Sequence, residues 1–173
     1  EDLLSDLWLS QLTRLLPELL ERYPDLPEPT QDENTARVHL FEAITRLVQA
    51  LAARQPLLLF LDDWHWADTA SLDLLHYAAV RCSEAKQPIL IVLTMVQEAI
   101  GAAAELQAWL AKLQHATKTQ VLPLRELSLR EIEQLMQALL APEIENKDAQ
   151  LTQFAAWLFA ETDGQPLFLT ETL

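Results

Sequence analysis

Apolar residues recur every three or four positions in two long stretches, which predicts two amphipathic helices. The connector between them, "YPDLPEPT" (23–30), is rich in proline, which forces an extended path. Thr30 and Glu33 have the spacing of a capping box at the start of the second helix. The apolar positions are Leu4, Leu7, Trp8, Leu12, Leu15, Leu16, Leu19 and Leu20 in the first helix, and Leu40, Phe41, Ile44, Leu47, Val48 and Leu51 in the second.

Further along, apolar residues form unbroken runs, which are typical of strands covered on both faces. The runs are Leu57 to Leu61 and "PILIVLT" (88–94), and a shorter run, "TQVLPL" (119–124), predicts a third strand. A helix capped by Asp68 or Thr69 and another over 102–115 separate the strands. Because strands alternate with helices, the sequence predicts an α/β fold with parallel strands and right-handed crossovers.

From Ser128 onward the pattern is helical only. Ser128 and Glu131 form a second capping box before a helix, and a further helix runs to about Ala160. The break "TDGQP" then separates that helix from "LFLTETL" at the end of the chain. The sequence therefore predicts an α/β domain over 1–126 and a helical domain over 127–173.

Charge and cysteine content exclude several classes of function. The chain carries 26 acidic and 12 basic residues, a formal charge of −14 that disfavours nucleic acid and anionic membranes as partners. No apolar run approaches the roughly 20 residues of a membrane span, and the start "EDLLSDLWLS" is acidic, unlike a signal peptide. The single cysteine, Cys82, excludes an internal disulfide and is expected to be a small buried residue. These features predict a cytoplasmic protein.

Two adjacent carboxylates, Asp62 and Asp63, follow the first apolar run directly. In open α/β sheets ligands bind beyond the carboxyl ends of parallel strands, which is where these residues are expected. With no basic neighbour in sequence, the pair favours a cation, and Mg²⁺ bound to substrate phosphates is the usual one. Helix capping is the alternative role, but Asp68 already serves it, so the ligand role is preferred for Asp62.

Other candidate sites are weaker. The four histidines, His39, His65, His76 and His115, lack the spacing of a zinc site, and His65 is interpreted as part of the turn after the strand. The combination of Ser71, His76 and Asp73 lacks a nucleophile elbow. A diphosphate-binding aspartate motif is disfavoured because it requires a helix, whereas an apolar strand leads into this pair. Trp64 and Trp66 are expected to be ordinary core aromatics.

Three blocks of the chain resemble one family. The block "LLLFLDDWHWADTASLDLLHY" resembles the Walker B segment of STAND-type P-loop ATPases, AAA-like proteins found in large bacterial transcriptional activators and signalling regulators. "ILIVLTMVQEAI" (89–100) resembles the following strand and sensor region, and "ETDGQPLFLTETL" (161–173) resembles the Gly-x-Pro segment of the helical lid. "LLPELLERYPDLPEP" (15–29) resembles the helix and proline-rich link upstream, so the resemblance spans nearly the whole chain.

The resemblance implies a partial three-layer P-loop NTPase core over 1–126 and a truncated helical lid over 127–173. It implies ATP and Mg²⁺ as cofactors, with Asp62 holding the metal and Asp63 orienting or deprotonating the attacking water. Gly164 and Pro166 match the lid turn that lies against the nucleotide. Pro166 has an equally good structural role as the first residue of a helix after a glycine turn.

The chain departs from the family pattern in two ways. Its only glycines are Gly101 and Gly164, so it has no phosphate-binding loop, and Val96 stands where the family usually has an arginine. In the family, the strand that precedes the phosphate-binding loop lies in the middle of the sheet, between the strands that match 89–94 and 120–124. Its absence predicts either two unpaired strand edges or direct pairing of the flanking strands, and suggests a piece of a larger regulator.

Two functions are therefore expected from the sequence. The first is an ATP-binding regulatory module for signal transduction or transcription control, in which nucleotide is a switch with weak or no hydrolysis. Its partners would be ATP or ADP, other domains of the same polypeptide and further copies of itself, and this chain alone would be inactive. The second is a degenerate ATPase-like scaffold that binds proteins and no nucleotide.

Overall fold

The computed structural model describes residues 3–140 and 148–173, which are mostly helical and include one small parallel sheet. The chain divides into two compact units, Glu1–Gln120 and Val121–Leu173, called here the first and second units. The elements are α1 (Asp6–Leu12), α2 (Leu19–Arg22), α3 (Glu33–Arg54), β1 (Leu57–Leu61), α4 (Thr69–Glu84), β2 (Ile89–Leu93), α5 (Gln97–Ala102), α6 (Ala104–Ala116), α7 (Leu129–Leu140), α8 (Asp148–Thr162) and α9 (Pro166–Thr172). Parallel strands between helices are consistent with a partial α/β core of the P-loop kind.

The first helical stretch is broken. The single helix predicted from Leu4 to Leu20 is wrong, because α1 ends at Leu12 and α2 begins only at Leu19. Pro17 lies between them, and proline cannot donate a helical hydrogen bond and disfavours helical geometry in the residue before it. The predicted cap of α3 also shifts. Asp32, not Thr30, accepts the backbone N–H of Thr35 at 2.9 Å.

The two predicted strands on either side of α4 are confirmed. They pair in parallel and in register, from Leu57 opposite Ile89 to Leu61 opposite Leu93. One face of the sheet, through Leu61, Ile91 and Leu93, packs against the helices that follow the strands. The buried core there consists of Leu72, Leu75, Leu106, Trp109 and Leu113.

The opposite face of the sheet is open. Leu58, Phe60 and Leu90 are 61%, 58% and 62% exposed, so the expectation of strands covered on both faces is wrong for the described residues. The reason is that α4 and α6 supply apolar side chains to one face only. An uncovered apolar face of this kind is typical of a surface that binds another protein segment.

The third predicted strand, over 119–124, is also wrong. This segment has no regular structure, and its apolar side chains Val121, Leu122 and Leu124 are exposed. It finds no partner strand, and an isolated strand cannot satisfy its backbone hydrogen bonds. Among the described residues, β1 and β2 pair only with each other. Of the two outcomes expected for the sheet, the structure shows unpaired edges rather than direct pairing of the flanking strands.

The helices predicted after Ser128 are present in the second unit as α7, α8 and α9. The capping box is confirmed, since the backbone N–H of Ser128 donates to Glu131 Oε2 at 2.8 Å and the Ser128 hydroxyl accepts the backbone N–H of Glu131 at 3.4 Å. Bonds from Ser128 and the charge of Arg125 hold the pKa of the Glu131 carboxyl below its usual value. The core of this unit contains Ile132, Met136, Ala155, Leu158 and Leu169.

Gly164 begins the turn between α8 and α9 with a positive φ of 75°. Its carbonyl accepts the backbone N–H of Leu127 at 2.8 Å, which joins the turn to the segment before α7. A Cβ at this position would overlap the Leu127 carbonyl oxygen. Pro166 then opens α9 in its first turn, which confirms its structural role. The local backbone therefore requires glycine at 164 and suits proline at 166.

A half-buried carboxylate joins α3 to α4 in the first unit. Glu42, whose side chain is 13% exposed, accepts Arg46 Nε at 2.7 Å and the Tyr77 hydroxyl at 2.8 Å, with Arg81 at 3.7 Å. Desolvation raises the pKa of Glu42. The hydrogen bonds from Tyr77 and Arg46 and the charges of Arg46 and Arg81 together lower it by more, so the net shift is downward. The hydrogen bond to Glu42 raises the pKa of Tyr77.

Cys82 is buried on α4, as predicted, and burial raises the pKa of its thiol. Across residues 3–140 and 148–173, no helix has the length and apolar character needed to cross a bilayer.

Gly164→Ala tests the turn of the second unit, and Gly101→Ala, in α5 of the first unit, is its control. Gly164→Ala should lower the free energy of unfolding of the second unit by about 2–4 kcal/mol, since the new methyl meets a backbone carbonyl in left-handed geometry. Gly101→Ala should be neutral or stabilising by up to about 1 kcal/mol, because a Cβ there meets nothing within 4 Å and the position is helical. Urea unfolding followed by circular dichroism measures both. Equal effects would contradict the structure.

The Glu42 network predicts a pH dependence. Because folding lowers the pKa of Glu42, its contribution is complete above the ordinary value of 4.5 and is lost as the pH falls through the lower folded value. Glu42→Gln should cost about 1–2 kcal/mol at pH 7, and the difference from wild type should shrink below pH 4.5. Glu28→Gln, at an exposed connector position, is the control and should change little at either pH. A pH-independent loss in the Glu42 variant would contradict this account.

Candidate functional site

Asp62 and Asp63 lie at the carboxyl end of β1, as the sequence predicts. Because Leu61 pairs with Leu93, the residue after β2, Thr94, lies beside them. The backbone N–H of Thr94 donates to the Leu61 carbonyl at 3.1 Å, which extends the ladder by one residue. The ends of both strands therefore contribute to one rim, the position where parallel sheets bind ligands.

Thr94 holds both aspartates. Its hydroxyl donates to Asp62 Oδ1 and accepts the backbone N–H of Asp63 at 2.8 Å. Its carbonyl accepts the backbone N–H of Trp64 at 2.9 Å. Sequence reasoning missed this residue. The signal in the sequence was that Thr94 follows the second apolar run just as Asp62 follows the first.

The backbone of Asp63 is left-handed, with φ of 51° and ψ of 39°. Its carbonyl accepts the N–H of Trp66 at 3.0 Å, which forms a short 3₁₀ turn over Trp64–Trp66. The carboxylate is not part of this turn, and its side chain is 64% exposed. The turn thus fixes the backbone of Asp63 and leaves its charged group free to meet a ligand.

The aromatic residues of the turn have different environments. Trp64 packs against the first-unit core beside Trp109, with ring centroids 6.4 Å apart, as expected for a core aromatic. Trp109 is fixed in turn by a 2.7 Å hydrogen bond from its indole N–H to the Leu72 carbonyl. The expectation of burial is wrong for Trp66, which is largely exposed.

His65, between the two tryptophans, is buried with an unsatisfied nitrogen. Its side chain is 7% exposed, and Nδ1 lies 3.9 Å from Asp63 Oδ1. Neither Nδ1 of His65 nor Nε1 of Trp64 has a hydrogen-bond partner within residues 3–140 and 148–173. Buried polar atoms are normally paired, so these two nitrogens are unusual features beside the aspartates.

The site fits a metal ion whose coordination shell is completed by groups from outside the protein. No group of three or more His, Cys, Asp or Glu residues in the described ranges could hold a metal by itself. Mg²⁺ usually takes one or two carboxylates and completes its shell with water and phosphate oxygens, which suits Asp62 and Asp63. Asp68, the third carboxylate of the motif, accepts the Ser71 N–H at 2.7 Å as the cap of α4, and bonds from Ser71 lower its pKa.

The remaining predicted residues belong to other elements of the fold. Gly164 and Pro166 belong to the second unit, and their contact with a nucleotide remains a prediction. Val96, at the position where an arginine was expected, is the exposed residue that precedes α5. An aliphatic side chain there offers no charge to a phosphate group.

A family model described as AAA ATPase domain matches residues 1–92 of the 173 in the chain. No curated protein and no solved structure matches the chain. The matched region includes Asp62, Asp63 and His65 and ends within β2, before Thr94.

The role of Thr94 can be tested with an isosteric substitution that removes the hydroxyl and a second substitution that keeps it. Thr94→Val removes the hydroxyl and leaves Asp62 Oδ1 and the Asp63 N–H without it, so we expect a loss of about 1 kcal/mol in stability. Amide hydrogen exchange at Asp63 should also accelerate, because its acceptor is gone. Thr94→Ser keeps the hydroxyl and should keep the slow exchange. Unchanged exchange in the valine variant would show that this bond is not formed in solution.

Proposed function

This chain belongs to the AAA ATPase domain family, and we propose that it is the Walker B, Mg²⁺ and lid portion of an ATP-binding regulatory ATPase of the STAND type. Bound nucleotide acts as a switch, and hydrolysis is weak or absent. The partners are ATP or ADP, other domains of the same polypeptide and further copies of the protein, in the cytoplasm. The domain boundary falls near residue 126, with 127–173 as the lid.

The observation that carries the proposal is the pair of carboxylates at the shared rim of two parallel strands. Asp62 is oriented by the Thr94 hydroxyl, so one of its carboxylate oxygens is held in place before any ligand arrives. Hard oxygen donors at the end of a parallel strand are the usual protein contribution to a Mg²⁺-nucleotide site. Bound Mg²⁺ would neutralise charge on the phosphates. Asp62 is thus proposed as the metal ligand.

Asp63 is proposed to act on water. Its carboxylate is exposed and close to Asp62 in sequence, which suits a group that orients or deprotonates a water molecule. Since Val96 supplies no guanidinium at the end of β2, charge developing on a phosphate would have less stabilisation. This supports slow hydrolysis and a switching role. Gly164 and Pro166 are proposed to face the nucleotide from the lid turn.

A scaffold function is the second candidate, because the open sheet face favours it. Leu58, Phe60 and Leu90 form an exposed apolar surface, and β1 and β2 pair with no other described strand. Such a surface suits a protein segment that adds to the sheet. Within the 173 residues there is also no glycine-rich loop to hold phosphates. On this alternative the family core is retained for binding proteins and has lost the nucleotide.

Isothermal titration of the full-length gene product with Mg·ATP separates the two functions. The regulatory module should bind Mg·ATP, and Asp62→Asn should weaken binding by about tenfold or more, because one charged metal ligand is lost. Asp25→Asn, an exposed carboxylate on the connector before α3, is the matched control and should bind as wild type does.

The outcomes are distinct. Absence of Mg·ATP binding by the intact, folded wild type would contradict the regulatory module and support the scaffold. Equal binding by wild type and Asp62→Asn would leave nucleotide binding in place and refute the role of Asp62.

A further inference from the structure

His65 is the least explained residue of the site. Its side chain is 7% exposed, yet Nδ1 has no hydrogen-bond partner within the described ranges. A ring buried to this degree normally pairs each nitrogen, since an unpaired polar atom away from water destabilises the fold. The unpaired nitrogen therefore indicates a bond that forms in another state of the site.

Within the described ranges, the carboxylate that lies within 4 Å of this nitrogen is that of Asp63, at 3.9 Å from Nδ1 to Oδ1. This distance is longer than a hydrogen bond, but a shift of about 1 Å would close it. The Asp63 carboxylate can make that movement because its side chain is 64% exposed and the fixed turn leaves it free to change rotamer. The imidazole is enclosed and is the less mobile partner.

We propose that His65 is a positioning residue for Asp63, with Nδ1 protonated on a neutral ring and donating to Asp63 Oδ1 when the site is occupied. A carboxylate can only accept, so the proton must be on Nδ1 for this contact to be favourable. Thr94 then orients Asp62, and His65 orients Asp63. The contact itself stands on the geometry, while its effect on the nucleotide rests on the proposed function.

The ring tautomer tests the contact directly. In the full-length protein labelled with ¹⁵N-histidine, the His65 signal is identified by its loss in His65→Asn. We expect wild type with Mg·ATP to carry the proton on Nδ1, and Asp63→Gly to shift it toward Nε2. Glycine removes the carboxylate but tolerates the left-handed backbone at this position. A wild-type ring protonated on Nε2, or the same tautomer in both proteins, would overturn the proposal.

Two substitutions of His65 test its consequence. The amide of Asn can take the place of Nδ1, whereas the longer Gln places its amide near Nε2. With Mg·ATP bound, His65→Gln should lower single-turnover hydrolysis about tenfold with little change in Kd, and His65→Asn should stay within about twofold of wild type. Equal losses in both variants would indicate a role in folding only and would refute positioning.

Failure of the proposed function gives a different result. If folded wild type binds no Mg·ATP, the regulatory module is refuted, and the tautomers of wild type and Asp63→Gly with Mg²⁺ alone decide the contact. If wild type binds Mg·ATP without measurable turnover, the His65 tautomers of wild type and Asp63→Gly with nucleotide bound decide the contact. In either case a tautomer that does not respond to Asp63→Gly refutes the proposal.

Discussion

The in-register parallel pairing of β1 with β2 is the constraint on which the site depends. It sets Leu61 opposite Leu93, so the residues that follow the two strands meet although they are 32 positions apart in sequence. The bond from the Thr94 N–H to the Leu61 carbonyl and that from Trp64 to the Thr94 carbonyl continue the pairing into the turn. A slip of one residue would turn the core side chains of a strand to the other face and separate Thr94 from Asp62.

One face of the same sheet is exposed rather than covered by helices. α4 and α6 cover one face, while Leu58, Phe60 and Leu90 remain exposed on the other, and the strand edges are open among the described residues. An open edge beside an apolar face is a strong template for pairing with another chain or segment. This surface is compatible with both candidate functions, because either a neighbouring part of an ATPase or a protein partner could occupy it. Nucleotide binding, rather than the sheet, must therefore distinguish them.

Much of this arrangement follows from local sequence, and the exceptions have physical causes. The runs around Leu59 and Ile91, the cap at Asp68 and the box at Ser128 are local signals, and all of them were predicted correctly. The break at Pro17 was missed because apolar spacing was given more weight than the missing N–H of proline. The strand at 119–124 was predicted from composition alone, but a strand also needs a partner, which sequence spacing does not reveal. Thr94 and the burial of His65 likewise depend on tertiary contacts.

Backbone strain separates structural from functional residues. Among the residues that the structure describes, three that are not glycine have positive φ: Asp63, Lys86 and Asp163. Lys86 is the second residue after α4, where the backbone N–H of Lys86 donates to the Ser83 carbonyl and that of Gln87 to the Cys82 carbonyl in the usual left-handed helix termination. Asp163 directly follows α8. Asp63 instead follows a strand, where no helix end requires this geometry. The left-handed backbone of Asp63 begins the 3₁₀ turn and lets the Asp63 N–H donate to the Thr94 hydroxyl. It also brings His65 Nδ1 within 3.9 Å of the Asp63 carboxylate. Strain without a helix end to explain it, at a residue beside two unpaired buried nitrogens, supports the proposal of a binding site here.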